Sequence, residues 1–235
     1  MPEDYTQTIR QFQNQQEIYH HAIAENYMAH REIHTAIQQH LNSVYDKPYS
    51  LLDLGCSDAS FISKTLQATM IKRYTGIDRA SNALAQARQN LDAAGIKAKL
   101  IEGDHTHFLP LLDDQKFRVI LVGFALYLLP SADKVRFFQD CKILLRKKGR
   151  ILIYDVMRRH DEDRDAYLQR YYQHAAENWP TLSTESLQQL ASYINISDHP
   201  ESLESLMDIA RRAGFKHAEL LYVDPTGFHQ LIEFR

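Results

Sequence analysis

The sequence predicts an α/β protein built on a mostly parallel sheet, and three observations indicate this. An apolar run at 50–54 breaks at Gly55 into small residues and then into a helical pattern, the order of strand, tight turn and helix. Two later apolar runs each lead to an acid, Asp78 and Asp104. Near the end, Asp224-Pro225-Thr226-Gly227 joins two apolar runs with type I turn preferences, which predicts a terminal hairpin.

Composition narrows the class of protein. The chain has 235 residues and a formal net charge of −3, and it contains no basic block that would favour nucleic acid. No apolar run is long enough to cross a membrane, and Met1–Arg10 lacks a signal-peptide pattern. Cys56 and Cys141 are too few for a disulfide framework. We therefore expect a cytoplasmic protein without membrane or nucleic-acid partners, and leave its oligomeric state open.

The N-terminal residues 4–42 are predicted to be helical, in two pieces. Ile33, Ile37 and Leu41 give one apolar face. His30 and His34 are four residues apart, but the zinc protease motif needs Glu directly after the first His, where this chain has Arg. Two histidines without a third ligand do not complete a zinc site, so no metal is expected.

Alternating strands and helices fill the rest of the chain. Ser131 is expected to cap a helix that runs to about Arg146, and Gly149 to end it in a left-handed turn. A last helix with apolar Leu203 and Leu206 is expected to stop at Gly214. The predicted strands after the first lie at 73–78, 97–102, 117–122, 150–155, 216–223 and 228–234.

The turn after the first strand points to a cofactor class. A dinucleotide fold needs G-x-G-x-x-G, and counting from Gly55 the other two glycine positions hold Ser57 and Ser60. With Asp53, Gly55, Ser57 and Ala59, the stretch resembles motif I of the class I S-adenosylmethionine (SAM)-dependent methyltransferases, L-D-x-G-x-G-x-G. Two of the three glycines are replaced by small residues. We expect both replacements to take negative φ and to leave room for the methionine moiety.

The resemblance covers about 50–156 well and implies both fold and cofactor. It implies a seven-stranded sheet of order 3-2-1-4-5-7-6, with the last strand antiparallel and helices on both faces. It also implies SAM as cofactor and S-adenosylhomocysteine (SAH) as product. Asp78 is placed to accept the ribose hydroxyls, and Asp104 stands where the family meets the adenine amino group. The expected cofactor-binding residues are Asp53, Gly55, Ser57, Asp78, Arg79, Asp104, His105 and Gly123.

Two segments exceed what the connectivity requires. We expect residues 1–46 to form a helical lid and 47–235 the SAM-binding domain, with a helical insert at about 157–199 after strand five. The insert is net acidic, which disfavours an RNA-binding role. It is interpreted as a substrate cap, with a purely structural elaboration as the alternative.

The predicted function is SAM-dependent methylation of a small polar or aromatic molecule. Arginines in both segments suggest an acceptor that carries a carboxylate. The alternatives are another SAM-fold enzyme, such as an RNA methyltransferase or a carboxy-SAM synthase, or a non-catalytic SAM-fold protein that binds partners. Candidate catalytic residues are Tyr127, Asp155 and His107. Candidate substrate-binding residues are Tyr27, His30, Arg31, Arg158, Arg170 and Tyr171.

Overall fold

The architecture comes from a computed structural model that describes residues 18–112 and 115–235. Its strands are β1 Tyr49–Leu54, β2 Ile71–Asp78, β3 Ala98–Glu102, β4 Phe117–Gly123, β5 Leu145–Val156, β6 Ala218–Val223 and β7 His229–Phe234. Its longer helices are α1 His30–Val44, α2 Ser60–Gln67, α3 Ser81–Ala93, α4 Ser131–Leu144, α5 Arg164–Asn178, α6 Thr184–Ser197 and α7 Leu203–Arg212. Short 3-10 turns lie at Leu109–Leu111 and Leu126–Leu128.

The seven strands form one sheet in the order β3-β2-β1-β4-β5-β7-β6, which confirms the expected topology. The first five strands are parallel, and β7 runs antiparallel to both of its neighbours. Leu51 packs with α1 to α3 on one face, while Leu52 packs with α4 and α7 on the other. Alternate residues of a strand face opposite sides, so helices cover both faces and bury β1 completely.

The N-terminal segment, here residues 18–46, is helical in two pieces, as predicted for this part of the chain. Residues 18–24 are helical, and α1 follows after a break in which Asn26 and Ala29 take positive φ. Ile33, Ile37 and Leu41 are buried against the sheet. The rest of the predicted 4–42 helical range, before residue 18, lies outside the described residues.

Both predicted ends of α4 are wrong in detail. Pro130 is the N-cap, and the Ser131 hydroxyl donates to Glu201 instead of capping the helix. The helix stops at Leu144, and Arg146 and its neighbours already belong to β5. Lys148, with φ of 63°, takes the left-handed conformation that we expected of Gly149. The strand pairing with β4, which shifts register here, overrides the local helix-stop signal.

The insert at 157–199 contains α5 and α6, so its helical character is confirmed. Lys134 of α4 donates to the carbonyl of His199, the last residue of the insert, and forms a buried ion pair with Glu201 just beyond it, Nζ to Oε1 at 3.1 Å. Ser205 Oγ donates to the other oxygen of Glu201 at 2.6 Å. Within the described ranges, no helix combines the length and apolarity that a membrane span requires.

Candidate cofactor and acceptor site

A cleft of 480 Å³, called the main cleft below, lies at the carboxyl edge of the parallel strands. Parallel sheets place their ligands at this edge, where the strand order reverses between β1 and β4. Gly55, with φ of 81°, brings bare backbone to its wall. Its lining residues include Tyr19, Gly55, Ser57, Asp58, Asp78, His105, Gly123, Phe124, Tyr127 and Tyr193.

Asp78 lies at the end of β2 and bonds to the turn after β1. Its Oδ2 accepts from the Ser57 backbone N–H at 2.8 Å, and its Oδ1 accepts from the Ala80 N–H at 2.9 Å. A carboxylate offers about four lone-pair sites. Two acceptor sites therefore stay available toward the cleft, which equals the number of hydroxyls on a ribose.

The expectation of negative φ at Ser57 and Ala59 is wrong. Ser57 has φ of 47°, Ala59 has φ of 52°, and Phe124 on the opposite wall has φ of 44°. Left-handed backbone costs a residue with a Cβ roughly 1–2 kcal/mol. The positive φ at Ala59 counts against SAM binding and for the partner-binding alternative. The turn nevertheless keeps backbone angles that glycine adopts freely, and strained residues of this kind commonly cluster at functional sites.

The other predicted cofactor residues divide into two groups. Gly123 and His105 line the main cleft, and the His105 Nε2 is buried with no hydrogen-bond partner among the described residues. A Cβ at Gly123 would lie 2.0 Å from Tyr154 Cζ, so only glycine fits there. Arg79 and Asp104 pair with each other at 2.5 Å outside the lining of the cleft.

A smaller cavity of 50 Å³, the turn pocket, lies behind the turn after β1. Asp53 lines it and accepts from the Tyr74 hydroxyl at 2.6 Å; burial raises the pKa of Asp53 to about 7. His30 also lines the pocket, where burial and the nearby His34 lower its pKa to about 3. Its Nδ1 has no partner in the described part of the chain. His30 is therefore neutral near pH 7 and offers this pocket an uncharged ring.

A third cavity of 60 Å³, the aromatic chamber, lies beyond the ends of β4 and β5. Tyr19, Tyr127 and Tyr193 line both the chamber and the main cleft, so the two cavities adjoin. The rest of the chamber wall is Ile18, Ala22, Met28, Val156, Tyr171, Trp179, Gln189, Leu190, Ile194 and Asp198. Both the N-terminal segment and the insert therefore contribute to the cavity next to the cleft.

Asp198 is the one ionisable carboxyl in the chamber lining. It is buried, and burial raises its pKa to about 7 although the Ser197 hydroxyl donates to Oδ1 at 2.7 Å. Arg164 approaches the same residue but donates to the backbone carbonyl of Asp198 at 2.7 Å. The carboxyl group is thus left without a direct cationic partner among the described residues.

The three candidate catalytic residues occupy different positions. Tyr127 lines the cleft and the chamber, and burial raises its pKa well above the usual value, which keeps the phenol protonated. Asp155 lies below it, with Oδ2 accepting from the Tyr127 N–H at 2.9 Å and Oδ1 from the Val156 N–H at 2.8 Å. Asp155 thereby positions Tyr127. The His107 side chain is 80% exposed, bonds to Asp104 and lies outside the cleft lining.

The predicted arginine clamp does not form. Arg31 is exposed and donates to the Ala24 carbonyl at 3.2 Å, and Arg158 donates to the Glu162 carbonyl. Arg170 pairs with the Glu162 carboxylate, at 2.8 Å between Nη2 and Oε2, and stacks 3.9 Å over the Phe228 ring. Partners within the chain satisfy all three guanidinium groups, and none lines the cleft or the chamber.

Tyr27 and Tyr171, the predicted aromatic substrate residues, both pack against Trp179 in the chamber wall. Tyr27 stacks on Trp179 with ring centroids 5.0 Å apart and an interplanar angle of 7°, and its hydroxyl bonds to Thr181 Oγ1 at 2.6 Å. This contact joins the N-terminal segment to the insert. Tyr171 lines the chamber.

Sequence reasoning missed a buried chain of polar groups behind Tyr171. The Tyr171 hydroxyl lies 3.4 Å from His229 Nε2, and His229 Nδ1 bonds to Asp224 Oδ2 at 2.9 Å. Burial alone would raise the pKa of Asp224, but hydrogen bonds from His229 and Thr226 outweigh it and lower the pKa. Asp224 belongs to the predicted hairpin turn, so the sequence showed its turn role and gave no signal for the second contact.

Comparison with known proteins identifies the architecture. Residues 51–149 match the family model for a methyltransferase domain. This match covers less than half of the chain, and together with the sheet order it agrees with the resemblance to the class I SAM-dependent methyltransferases. A search of curated proteins finds no match.

Solved methyltransferase structures share this fold at low sequence identity. A proposed O-methyltransferase from Nostoc punctiforme PCC 73102 is 18% identical, with a TM-score of 0.65 over 91% of this chain and 58% of that one. An O-methyltransferase family 2 protein from Planctomyces limnophilus DSM 3776, in complex with apigenin, is 17% identical with a TM-score of 0.59, covering 82% and 51%. The SAH-bound calicheamicin-biosynthesis methyltransferase CalO1 is 17% identical with a TM-score of 0.55, covering 81% and 50%. The chain thus spans less than two thirds of each.

The donor set of the main cleft fits SAM. The cleft joins bare backbone at Gly55 to the Asp78 carboxylate, and the buried Nε2 of His105 has no partner among the described residues. Orphaned buried polar atoms are rare in native proteins, and a bound ligand is one way to satisfy them. The cofactor would be held by Asp53, Gly55, Ser57, Asp78, His105 and Gly123.

Proposed function

We propose that the protein transfers the methyl group of SAM to a small molecule whose reactive group enters the aromatic chamber. One observation carries the proposal: the chamber adjoins the main cleft through three shared residues, Tyr19, Tyr127 and Tyr193. A molecule in the chamber and a cofactor in the cleft would therefore face each other across these side chains.

The cofactor supplies an activated methyl group on a sulfonium. The chain's own contribution is to hold the cofactor, to align the acceptor with it and to shield both from water. Asp78 and the turn at Gly55 to Ala59 fix the nucleoside side of the cleft, and Asp155 fixes Tyr127 through its backbone N–H. Alignment of two reactants held in this way can supply much of the rate enhancement of a displacement reaction.

Water exclusion falls to the N-terminal segment and the insert. Tyr19, Ala22 and Met28 come from the first, and Tyr171 and Trp179 from the second, and all are buried or half-buried around the chamber. The stack of Tyr27 on Trp179 holds the two segments together, an interaction worth about 0.5–1.5 kcal/mol beyond its buried area. We propose on this basis that both segments cover the acceptor.

The lining favours a small molecule over RNA. In the described parts of the chain, no Lys or Arg side chain lines the main cleft or the aromatic chamber. RNA recognition relies on cations that neutralise phosphates.

The test combines binding with transfer of labelled methyl groups. Calorimetry should show SAM and SAH binding, and methyl-labelled SAM should then be offered with amines, phenols, carboxylic acids, total RNA and unfolded protein in separate reactions. We expect label in small molecules only. Absence of SAH binding, or label confined to RNA or protein, would overturn the proposal.

A further inference from the structure

The charged groups that line the three cavities are all acids. Asp58 and Asp78 line the main cleft, Asp53 and Asp58 the turn pocket, and Asp198 the aromatic chamber. No arginine or lysine of the described residues lines any of the three. An acceptor that carries a carboxylate would meet like charges here without a counter-ion, so the lining points to the opposite charge.

Aromatic rings surround the chamber on several sides. Tyr19, Tyr127 and Tyr193 come from three separate parts of the chain, and Tyr171 and Trp179 come from α5 and its C-cap. The negative faces of such rings attract cations within about 6 Å, by roughly 2 kcal/mol or more where water is excluded. The aliphatic wall members add apolar contact for methyl or methylene groups. A ring of this kind suits an alkylated ammonium better than a strongly hydrated anion.

Asp198 supplies the negative charge that such a cation needs. Its carboxyl lies in the chamber wall, and Arg164, the nearest cation on the insert, is bound to its backbone carbonyl instead. Below the chamber, the Asp155 carboxylate accepts two backbone N–H groups beside the lining residues Tyr127 and Val156. A buried carboxylate without a cation is costly, and a bound ammonium would remove that cost.

Resting on the proposed function, we propose that the aromatic chamber binds the ammonium group of an amine acceptor, held between the aromatic rings and the Asp198 carboxylate. Before methylation the ammonium passes one proton to that carboxylate, and the neutral amine nitrogen then has the lone pair that forms the new bond to the methyl group. The volume of 60 Å³ is several times the roughly 10–15 Å³ that one water needs. It therefore has room for a small alkylammonium group. The remainder of the acceptor extends along the shared wall of Tyr19, Tyr127 and Tyr193.

The experiment compares charged ligands with neutral isosteres. Choline is paired with 3,3-dimethylbutan-1-ol, and protonated ethanolamine with propan-1-ol, so that each pair differs mainly in charge. Trp179 is the only tryptophan of the chain and lines the chamber, so its fluorescence reports occupancy without turnover. Titrations are done on the full chain with and without SAH. We expect at least one charged ligand to bind tenfold or more tightly than its isostere.

Two matched variants locate the effect. Asp198→Asn should reduce the affinity of the charged ligand at least tenfold and leave its neutral isostere within about twofold of wild type. Asp165→Asn, on the same insert with a side chain 91% exposed, should change neither. If Asp198→Asn does not fold, the wild-type comparison of isosteres decides alone. Equal affinities within both pairs, or equal losses for both members of a pair in Asp198→Asn, would overturn the proposal.

SAH binding separates this inference from the proposed function. A protein that binds SAH and methylates only phenols or carboxylic acids retains its proposed function while the amine proposal is wrong. A protein that shows the charge preference in the chamber without binding SAH retains the ammonium site and loses the transferase role.

Discussion

Removing the Asp78 carboxylate tests the cofactor site most directly. The Asp78→Ala substitution deletes two hydrogen bonds from backbone N–H groups, those of Ser57 at 2.8 Å and Ala80 at 2.9 Å. Hydrogen bonds to a charged group contribute about 1.5–3 kcal/mol each when buried. Because Asp78 is half-exposed, we expect a smaller loss, about 1–3 kcal/mol of unfolding free energy in total.

Cofactor affinity should fall by more than stability alone explains. Asp78 has two acceptor sites left for the ribose hydroxyls, and loss of those bonds predicts at least tenfold weaker SAH binding, equivalent to about 1.4 kcal/mol. Asp78→Asn keeps one acceptor oxygen and should lie between wild type and Asp78→Ala. Calorimetric titration with SAH measures the affinities, and urea denaturation measures the stabilities.

An exposed aspartate provides the control. Asp92 on α3 has a side chain 63% exposed and lies 4.0 Å from Arg88, so Asp92→Ala should leave SAH affinity unchanged. If folded Asp78→Ala binds SAH as tightly as wild type, the assignment of the ribose site to Asp78 is wrong.

Two further predictions concern stability. Lys134→Met should lower the free energy of unfolding, measured by urea denaturation, by about 3–5 kcal/mol because it leaves Glu201 buried without its cation. The double variant Lys134→Met, Glu201→Leu should recover most of this loss. A double variant no more stable than the single one would contradict the prediction. Burial raises the folded pKa of Asp53 to about 7 from 3.8, so the folded state retains a proton that the unfolded state has lost between pH 4 and 7. Stability from this group is present at low pH and decreases as pH rises through that window, and Asp53→Asn should make the decrease shallower; an unchanged pH profile of the unfolding free energy would count against the shift.

The fold was predictable because its signals are local and repeated. Continuous apolar runs such as 119–122 are typical of strands buried on both faces, and each is followed by a helical pattern. The hairpin turn has its i to i+3 hydrogen bond, Gly227 N–H to Asp224 O at 3.0 Å, as its composition predicts. Where tertiary pairing overrides local preference, as at Lys148, the prediction was wrong.

The site was only partly predictable, since contacts between distant segments have no sequence signal. Asp78 and His105 follow strands and could be placed at the sheet edge from the sequence. Tyr193 and Asp198 lie on or after α6, and nothing in their neighbourhood shows that they reach a cavity shared with Tyr127. The sequence shows which residues are arginines but not which groups they contact, so the pairing of Arg170 with Glu162 could not be predicted.

The position of the charges gives the site a consistent electrostatic character. The insert carries arginines, but Arg170 is bound to Glu162 and Arg164 to the backbone carbonyls of Asn195 and Asp198, and neither guanidinium lines the cleft or the chamber. The acids remain on the inner walls, where low dielectric makes each charge act over a longer range. A sulfonium in the main cleft and an ammonium in the chamber are both cations that such walls would stabilise. A carboxylate in the chamber would instead face Asp198 without a counter-ion, which is why the acceptor suggested by counting arginines differs from the one that the cavity lining favours.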